Sequence, residues 1–163
     1  ITREVVRQQV DELLLVDEGD IEQAVLMLLE IEKTLVEGAG SVGLAALLRY
    51  PERFRGQKVG LVLSGGNIDP LLLASIIQRG MVRAGRLARL RISSRDVPGM
   101  LARITAIVAE AGANIEEVHH QRAFTKLAAQ NTEIDIVLQT RSKAHIDEVV
   151  DKLRAVGMQV DLA

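Results

Sequence analysis

The hydrophobic pattern of this 163-residue chain changes near residue 87, and the change limits the folds open to it. After residue 87, apolar residues alternate as in strands and recur as in helices, in the order strand, helix, strand, strand, helix, strand. The predicted strands are 90–92, 114–124, 134–138 and 158–162, the predicted helices are 101–111 and 146–156, and 125–131 is a predicted loop. Four strands and two helices can cover one sheet face, so this half is predicted to fold by itself as a ferredoxin-like βαββαβ domain.

The first half lacks such a self-contained arrangement. Apolar runs at 13–16 and 59–63 indicate two buried strands, which are typical of a parallel sheet covered on both faces. Two strands do not make such a sheet, so the pattern predicts that the partner strands lie in another part of a larger α/β domain. The missing initiator Met agrees with a processed product, with an excised piece, or with a chain that is part of something longer.

Three helices are predicted in the same half, at 21–35, 44–50 and 70–78. Asp20 is the expected N-cap of the first, and Asp69 followed by Pro70 is the expected start of the third. Residues 21–35 are apolar on nearly every side, which is typical of a helix inside a larger protein. Gly80 and Gly85 then indicate a linker before the second half.

The composition is that of a folded protein, with 48% hydrophobic and 26% charged residues. One Tyr, two Phe and no Trp leave few aromatic platforms for stacking nucleic-acid bases, and a net charge of −2 argues against a polyanion partner. The chain has no Cys and no apolar run long enough to cross a membrane. These features, with a polar N-terminal start, predict a cytoplasmic protein that binds neither nucleic acid nor membrane.

Two short motifs carry a resemblance to a known family. The sequence Val-Glu-Gly-Ala-Gly at 36–40, followed by Leu-Ala-Ala-Leu-Leu at 44–48, and Val-Leu-Ser-Gly-Gly-Asn-Ile-Asp at 62–69 resemble the end of the catalytic domain of threonine dehydratases. That family consists of pyridoxal-phosphate enzymes with a tryptophan-synthase-β-like fold, fold type II. The resemblance implies a catalytic-domain portion at 1–78, a connector at 79–86 and an ACT regulatory domain at 87–163, where Asp-Val-Pro-Gly at 96–99 and Ala-Gly-Ala-Asn-Ile at 111–115 carry the match.

The Ser-Gly-Gly motif is the candidate cofactor site. A hydroxyl after a strand lies at the carboxyl edge of a sheet, where α/β proteins bind ligands, and glycines let the backbone approach a flat ring. The resemblance implies that Ser64 contacts the pyridine nitrogen of the cofactor. The candidate cofactor-binding residues are Ser64, Gly65, Gly66, Asn67 and, in a second loop, Glu37. The alternative is that Ser-Gly-Gly is only a tight turn and Glu37 a solvated turn residue.

Two elements that the family needs are missing from the chain. Lys33 and Lys58 lie in contexts unlike the family's Schiff-base lysine motif, and no glycine-rich loop for the cofactor phosphate occurs. Both elements are expected upstream of Ile1. The chain is therefore predicted to contain no catalytic residue and to be inactive alone, although its parent would be a threonine ammonia-lyase.

The second half has its own candidate site, which the ACT resemblance implies for an amino-acid effector such as isoleucine, valine, threonine or serine. Pro98 sets a turn, Gly99 allows close backbone approach, and the following helix N-terminus offers amide donors to a carboxylate. The candidate residues are Asp96, Pro98, Gly99, Met100, Leu101, Asn114 and Ile115. Such ligands commonly lie between two ACT domains, so a homo-oligomer is expected. The alternative is a helix cap in a domain that only dimerises.

Other candidates are weaker. His119 and His120 are neighbours on a predicted strand and point to opposite faces, so no metal site is expected. His145 is predicted to lie on a helix surface, and the arginines between 79 and 95 to form a solvated linker and strand face.

Two rival functions remain open. A serine dehydratase or serine racemase shares the Ser-Gly-Gly-Asn motif and is not separated by this sequence. A self-standing, non-catalytic ACT module for effector binding or dimerisation is disfavoured, because the helix at 21–35 would expose a large apolar surface.

Overall fold

The computed structural model describes residues 1–121 and 130–163, which form two compact units, Ile1–Gly80 and Met81–Ala163. The predicted strand end at Phe124 and most of the predicted loop 125–131 lie outside the described residues. The first unit contains α1 (Thr2–Gln9), α2 (Glu18–Met27), a π-helical turn (Leu28–Glu32), α3 (Gly38–Arg49), α4 (Pro51–Phe54) and most of α5 (Pro70–Arg83). The second contains β1 (Leu87–Arg95), α6 (Met100–Glu110), β2 (Asn114–Gln121), β3 (Asn131–Gln139), α7 (Lys143–Ala155) and β4 (Gln159–Leu162).

The prediction of two strands in the first unit is wrong. Residues 13–16 and 59–63 form no strand, and Leu13 and Leu15 are 73% and 83% exposed. Strand backbone needs a neighbouring strand to satisfy its N–H and C=O groups, and no strand of the Ile1–Gly80 unit lies beside either segment. The apolar composition was that of a strand, but the pairing partner is missing.

The first long helix also differs from the prediction at both ends. It begins at Glu18 after Asp17, and Asp20 is its third residue, whose carboxylate accepts the Asp17 N–H at 3.1 Å. Past Met27 the backbone widens into a π-helical turn that ends at Glu32, and the next residue, Lys33, has a φ of 56°. The predicted continuation to residue 35 is therefore interrupted, and Leu35 lies exposed beyond it.

Helix α5 begins as predicted and ends later. The Asp69 carboxylate accepts the N–H groups of Leu71 and Leu72 at 2.9 and 3.0 Å. The helix then continues past residue 78 to Arg83, so Gly80 lies in the helix and not in a linker. Gly80 is buried against Leu26, whose Cδ2 would lie 2.1 Å from an added Cβ. Its lack of a side chain serves close packing of α5 against α2.

The second unit has the predicted βαββαβ order. Its antiparallel sheet has the strand order β2-β3-β1-β4, with α6 and α7 on one face. The buried core contains Leu90 and Ile92 from β1, Ile134, Ile136 and Leu138 from β3, and Val160 from β4, together with residues of both helices. Alternation along β1 and β3 places the intervening charged residues on the opposite, open face.

The segment that enters this sheet is held by its own unit. Gly85 adopts φ 66°, and an added Cβ would lie 2.5 Å from the backbone nitrogen of Lys143. The Thr140 hydroxyl donates to the Gly85 carbonyl at 2.7 Å, and the Thr140 N–H donates to the Arg86 carbonyl at 3.0 Å. The junction is thus a fixed turn against the start of α7.

His145 is buried, which corrects the prediction of a surface position. Its side chain is on α7, where Nδ1 accepts the Arg141 N–H at 3.1 Å and Nε2 donates to the Ala111 carbonyl at 2.7 Å. This pattern corresponds to the Nε2–H tautomer. Four residues before the buried Val149, His145 shares the inward face of the helix and joins it to the end of α6.

A search of the described helices for one that could cross a bilayer found none of sufficient length and apolarity.

Candidate functional site

The two motif segments of the first unit lie against each other. The Glu37 N–H donates to the Gly65 carbonyl at 3.0 Å. An added Cβ at Gly40 would lie 1.8 Å from the Ser64 carbonyl oxygen, and one at Gly66 would lie 3.2 Å from the Leu35 carbonyl oxygen. Residues 35–40 therefore form a cradle for residues 64–66. The two backbones can approach this closely only because Gly40 on one segment and Gly66 on the other have no side chain.

Helix α3 begins inside this cradle. Its first residue is Gly38, well before the predicted start at Leu44, because the Glu37 carbonyl accepts the N–H groups of Gly40 and Ser41. The small residues at 38–43, expected to form a turn, continue as helix. The close approach of the Ser64 carbonyl explains why the first helical turn carries almost no side chains.

Gly65 requires glycine for two reasons. Its φ is 74°, in the left-handed region that disfavours other residues. In addition, an added Cβ would lie 2.4 Å from Glu37 Oε1. The Glu37 side chain therefore occupies the space beside Gly65.

The Ser64 side chain is exposed and available. None of the described residues forms a hydrogen bond with its hydroxyl, and Asn67, directly after the two glycines, is also exposed. A free hydroxyl on a loop of closely packed glycines fits one end of a pyridine ring, which needs a hydrogen-bond partner at nitrogen and space for the ring. The Lys33 ammonium donates to the Glu30 carbonyl at 2.6 Å, so it is engaged by its own helical turn.

The loop at 96–99 in the second unit connects β1 to α6. The Asp96 N–H donates to the Gln130 carbonyl at 2.9 Å, and Gly99, with φ 86°, precedes the first residue of α6. Asp96, Pro98 and Gly99 are exposed, whereas Met100 and Leu101 are half-buried against the core. The structure thus places five of the seven candidate effector residues together.

Asn114 and Ile115 lie at the other end of the sheet. Arg95, next to the loop, pairs with Asn131 of β3, whereas Asn114 pairs with Gln139. Eight residues of β3 separate the two positions, so at about 3.3 Å per strand residue the two groups are roughly 26 Å apart. One domain cannot bring both groups onto one amino acid, so a shared site needs two domains.

A polar cluster around the buried Thr132, which was not predicted from the sequence, lies next to the loop. The Thr132 hydroxyl donates to the Gln121 carbonyl at 2.9 Å and accepts from His120 Nε2 at 2.8 Å. Thr132 shares the parity of Ile134, which is the signal that could have identified it as inward-facing. A cavity of about 230 Å³ elsewhere in this unit is lined by residues such as Leu87 and Lys143 and includes none of the candidate effector residues.

The open sheet face carries a two-pronged ion pair. Arg91 Nε and Nη2 donate to the two carboxylate oxygens of Asp135 at 2.9 and 3.0 Å. These hydrogen bonds lower the pKa of the Asp135 carboxyl below its usual value, with the charge of the same guanidinium adding to the effect.

Within the part of the chain that the structure describes, no group of His, Asp or Glu is arranged to hold a metal ion. His119 and His120 face opposite sides, as expected, since they pair with Asp135 and Ile134.

Comparison with known proteins adds two kinds of likeness. The family model described as "ACT domain" matches residues 85–157. The chain is 45% identical over 158 residues to L-threonine ammonia-lyase of Geobacter sulfurreducens, covering 97% of this chain and 39% of that protein. It is 39% identical over 160 residues to L-threonine ammonia-lyase of Thermotoga maritima, covering 98% of this chain and 40% of that protein. A third relative, L-threo-3-hydroxyaspartate ammonia-lyase of a Pseudomonas species, is 34% identical over 74 residues, 45% of this chain and 23% of that protein. The chain thus spans about two-fifths of the length of the first two relatives.

Proposed function

We propose that this chain belongs to the threonine ammonia-lyase family and that it is the C-terminal part of a pyridoxal-phosphate enzyme that converts L-threonine to 2-oxobutyrate and ammonia, with an ACT domain at its end. The observation that carries the proposal is the likeness at 45% identity over 97% of the chain. The proposal assigns 1–78 to the end of a fold type II catalytic domain, 79–86 to a connector and 87–163 to the ACT domain.

The proposal explains why two apolar segments of the first unit are exposed: they would be covered in the complete catalytic domain. Residues 13–16 and 59–63 have strand-like composition, no pairing partner in their unit, and exposed side chains. They add to the sheet of the complete catalytic domain, whose other strands precede this chain. Pairing there satisfies the backbone and buries Leu13 and Leu15.

Ser64 holds the ring-nitrogen end of the cofactor site. Pyridoxal phosphate supplies an electron sink for bond cleavage at the substrate's α-carbon when it is bound. The Ser64 hydroxyl donates or accepts one hydrogen bond at the ring nitrogen, and a neutral partner there moderates the electron demand compared with a carboxylate. Gly65 and Gly66 would let the backbone approach the ring, and Asn67 would be the next residue of the loop to contact the cofactor.

The test compares the 163-residue chain with the product of the longer gene. Both are purified, mixed with pyridoxal phosphate, and assayed for the visible absorbance of bound cofactor and for 2-oxobutyrate release from threonine. We expect the longer protein to show both signals and the 163-residue chain to show neither, because the lysine and the phosphate loop lie outside it. A longer protein without cofactor absorbance contradicts the proposal.

Substrate choice is a separate question within the same class of reaction. Two threonine ammonia-lyases match 97% and 98% of the chain, whereas the hydroxyaspartate ammonia-lyase matches 45% of it, so threonine is the favoured substrate. Parallel assays with threonine, serine and threo-3-hydroxyaspartate rank the three substrates by kcat/KM. A serine racemase is distinguished by formation of D-serine in the same samples.

The ACT domain senses an amino acid in a site shared by two copies. The Asp96–Leu101 loop of one domain provides backbone donors for the carboxylate, and Asn114 and Ile115 of a second domain complete the site, because the two groups lie at opposite ends of one sheet. Titration calorimetry with isoleucine, valine, threonine and serine, combined with sedimentation analysis, tests this. We expect binding of at least one of the four amino acids, with loss after Asn114→Ala. Flat traces from a correctly assembled oligomer favour an ACT domain that only dimerises. We also propose that the protein acts in the cytoplasm.

A further inference from the structure

Glu37 contacts Gly65 through both its backbone and its side chain. Its N–H donates to the Gly65 carbonyl at 3.0 Å, and its carboxylate fills the space where a side chain at Gly65 would begin, 2.4 Å from an ideal Cβ position to Oε1. No other half-buried carboxylate of the described chain is packed against a glycine of either motif.

The Glu37 carboxylate is otherwise without a partner in the described residues. It forms no ion pair or side-chain hydrogen bond there. The Glu37 side chain therefore acts in this site by packing: its carboxylate and its γ-methylene group lie against one side of the Gly65 peptide. The first turn of α3 is capped by the Glu37 carbonyl, which accepts the N–H groups of Gly40 and Ser41. Capping therefore does not explain why the Glu37 side chain lies against Gly65.

The other side of the same peptide is held by helix α3. The Ser64 carbonyl oxygen lies against the Cα of Gly40, where an added Cβ would be 1.8 Å away. The Ser64–Gly65 peptide is thus enclosed between Gly40 and the Glu37 side chain. Because the Ser64 hydroxyl itself has no hydrogen bond with the described residues, its direction depends on how firmly this peptide is held.

We propose that Glu37 is a positioning residue that clamps the Ser64–Gly65 peptide and so fixes the Ser64 hydroxyl toward the ring nitrogen, without itself contacting the cofactor. The inference rests on the proposed function and changes the role of Glu37 within it, from a candidate cofactor contact to a clamp. The clamp acts by shape and reach, whereas a cofactor contact would act by charge.

Three substitutions in the complete enzyme separate the two roles. Glu37→Gln keeps the length and shape of the side chain and removes its charge. Glu37→Asp keeps the charge and shortens the reach by one methylene group, and Glu37→Ala removes both. Glu32→Ala, on an exposed side chain of the same unit, is the matched control.

The first readout is amide hydrogen exchange in the peptide covering residues 62–68, measured without cofactor. We expect Glu37→Ala and Glu37→Asp to speed exchange by on the order of tenfold, an effect in the ordinary range for one substitution. Glu37→Gln and Glu32→Ala are expected to stay within about twofold of the unaltered protein. Thermal melting monitored by circular dichroism checks that each variant is folded, and exchange in peptides of the ACT domain serves as an internal reference.

The second readout is the visible absorbance and fluorescence of added pyridoxal phosphate, followed against pH. We expect Glu37→Ala and Glu37→Asp to weaken cofactor binding by about tenfold, and Glu37→Gln to keep the affinity and the pH profile. If Glu37→Gln shifts the pH profile while Glu37→Asp leaves it unchanged, Glu37 acts by charge and the clamp is wrong. If Glu37→Ala behaves as Glu32→Ala in both readouts, the clamp is also wrong. If no protein binds the cofactor, the proposed function fails, while the exchange measurement still decides the clamp.

Discussion

The two units of this chain differ in how much of their apolar surface is buried. Among the described residues, fourteen large apolar side chains are exposed in Ile1–Gly80, against five in Met81–Ala163. The buried apolar residues show the reverse, with six in the first unit and sixteen in the second. The second unit closes its own core, whereas the first offers apolar surface of the kind that marks an interaction site.

The difference teaches that a compact group of helices is not by itself a complete fold. In the second unit, the inward-facing apolar residues of the strands pack in one core with apolar residues of α6 and α7. In the first unit, α2 packs against α3, but the segments at 13–16 and 59–63 have no strand partner in the unit and stay largely exposed. This contrast leads to four predictions.

The largest effect is expected when the units are produced separately. Residues 81–163 should unfold in urea with one cooperative transition, because their core is internally complete. Residues 1–80 should bind a fluorescent hydrophobic dye and unfold without a cooperative transition, because few of their large apolar side chains are buried. A sharp transition of the first fragment, without dye binding, would break the comparison.

A pair of truncations tests the same contrast within the whole chain. Ile136→Ala, at a fully buried position of β3, should lower the free energy of unfolding of the ACT unit by about 2–5 kcal/mol. Leu13→Ala, at a position 73% exposed, should change stability by less than about 0.5 kcal/mol. Urea denaturation followed by circular dichroism measures both. An equal loss for the two variants would show that Leu13 is buried in solution.

A third comparison uses two glycines with different constraints. Gly40→Ala places a methyl group against the Ser64 carbonyl and should cost about 1–3 kcal/mol, with faster amide exchange at residues 62–68. Gly112→Ala meets no atom within 4 Å but must adopt φ 78°, so it should cost about 1–2 kcal/mol and leave that segment unchanged. Exchange at 62–68 that is the same in both variants would argue against the cradle.

The smallest effect concerns the open sheet face of the second unit. Arg91 lowers the pKa of Asp135 in the folded state, so the pair stabilises the fold above the ordinary carboxyl pKa, and this contribution is lost as pH falls through the lowered value. Asp135→Asn should reduce the acid sensitivity of unfolding between pH 5 and 2, by less than the core truncation changes stability, since the Arg91 side chain is 45% exposed and its charge is partly screened by water. Urea midpoints measured across that pH range provide the check. An unchanged pH dependence would mean that the pair is not formed in solution.

Prediction from sequence succeeded where local pattern and global packing agree. The alternation at Ile134, Ile136 and Leu138 is compatible with a half-buried strand, and the structure has that strand. The Asp69-Pro70 pair begins a helix because the Asp69 carboxylate accepts N–H groups only two and three residues further along the chain. It failed for 13–16 and 59–63, because an apolar run is compatible with a strand but the strand exists only if another strand pairs with it. It also failed for His145, whose inward face depends on the distant Ala111 carbonyl.

The sequence by itself determined the order of elements after residue 87, the glycines that the motifs require and the resemblance to threonine dehydratases, because these depend on local spacing and residue type. Only the tertiary structure decided that Glu37 and Gly40 enclose the Ser64–Gly65 peptide, and that the Asp96 loop and Asn114 lie at opposite ends of one sheet. Those arrangements arise from contacts between residues far apart in the chain, which strand register sets in the second unit and close backbone packing at glycines sets in the first.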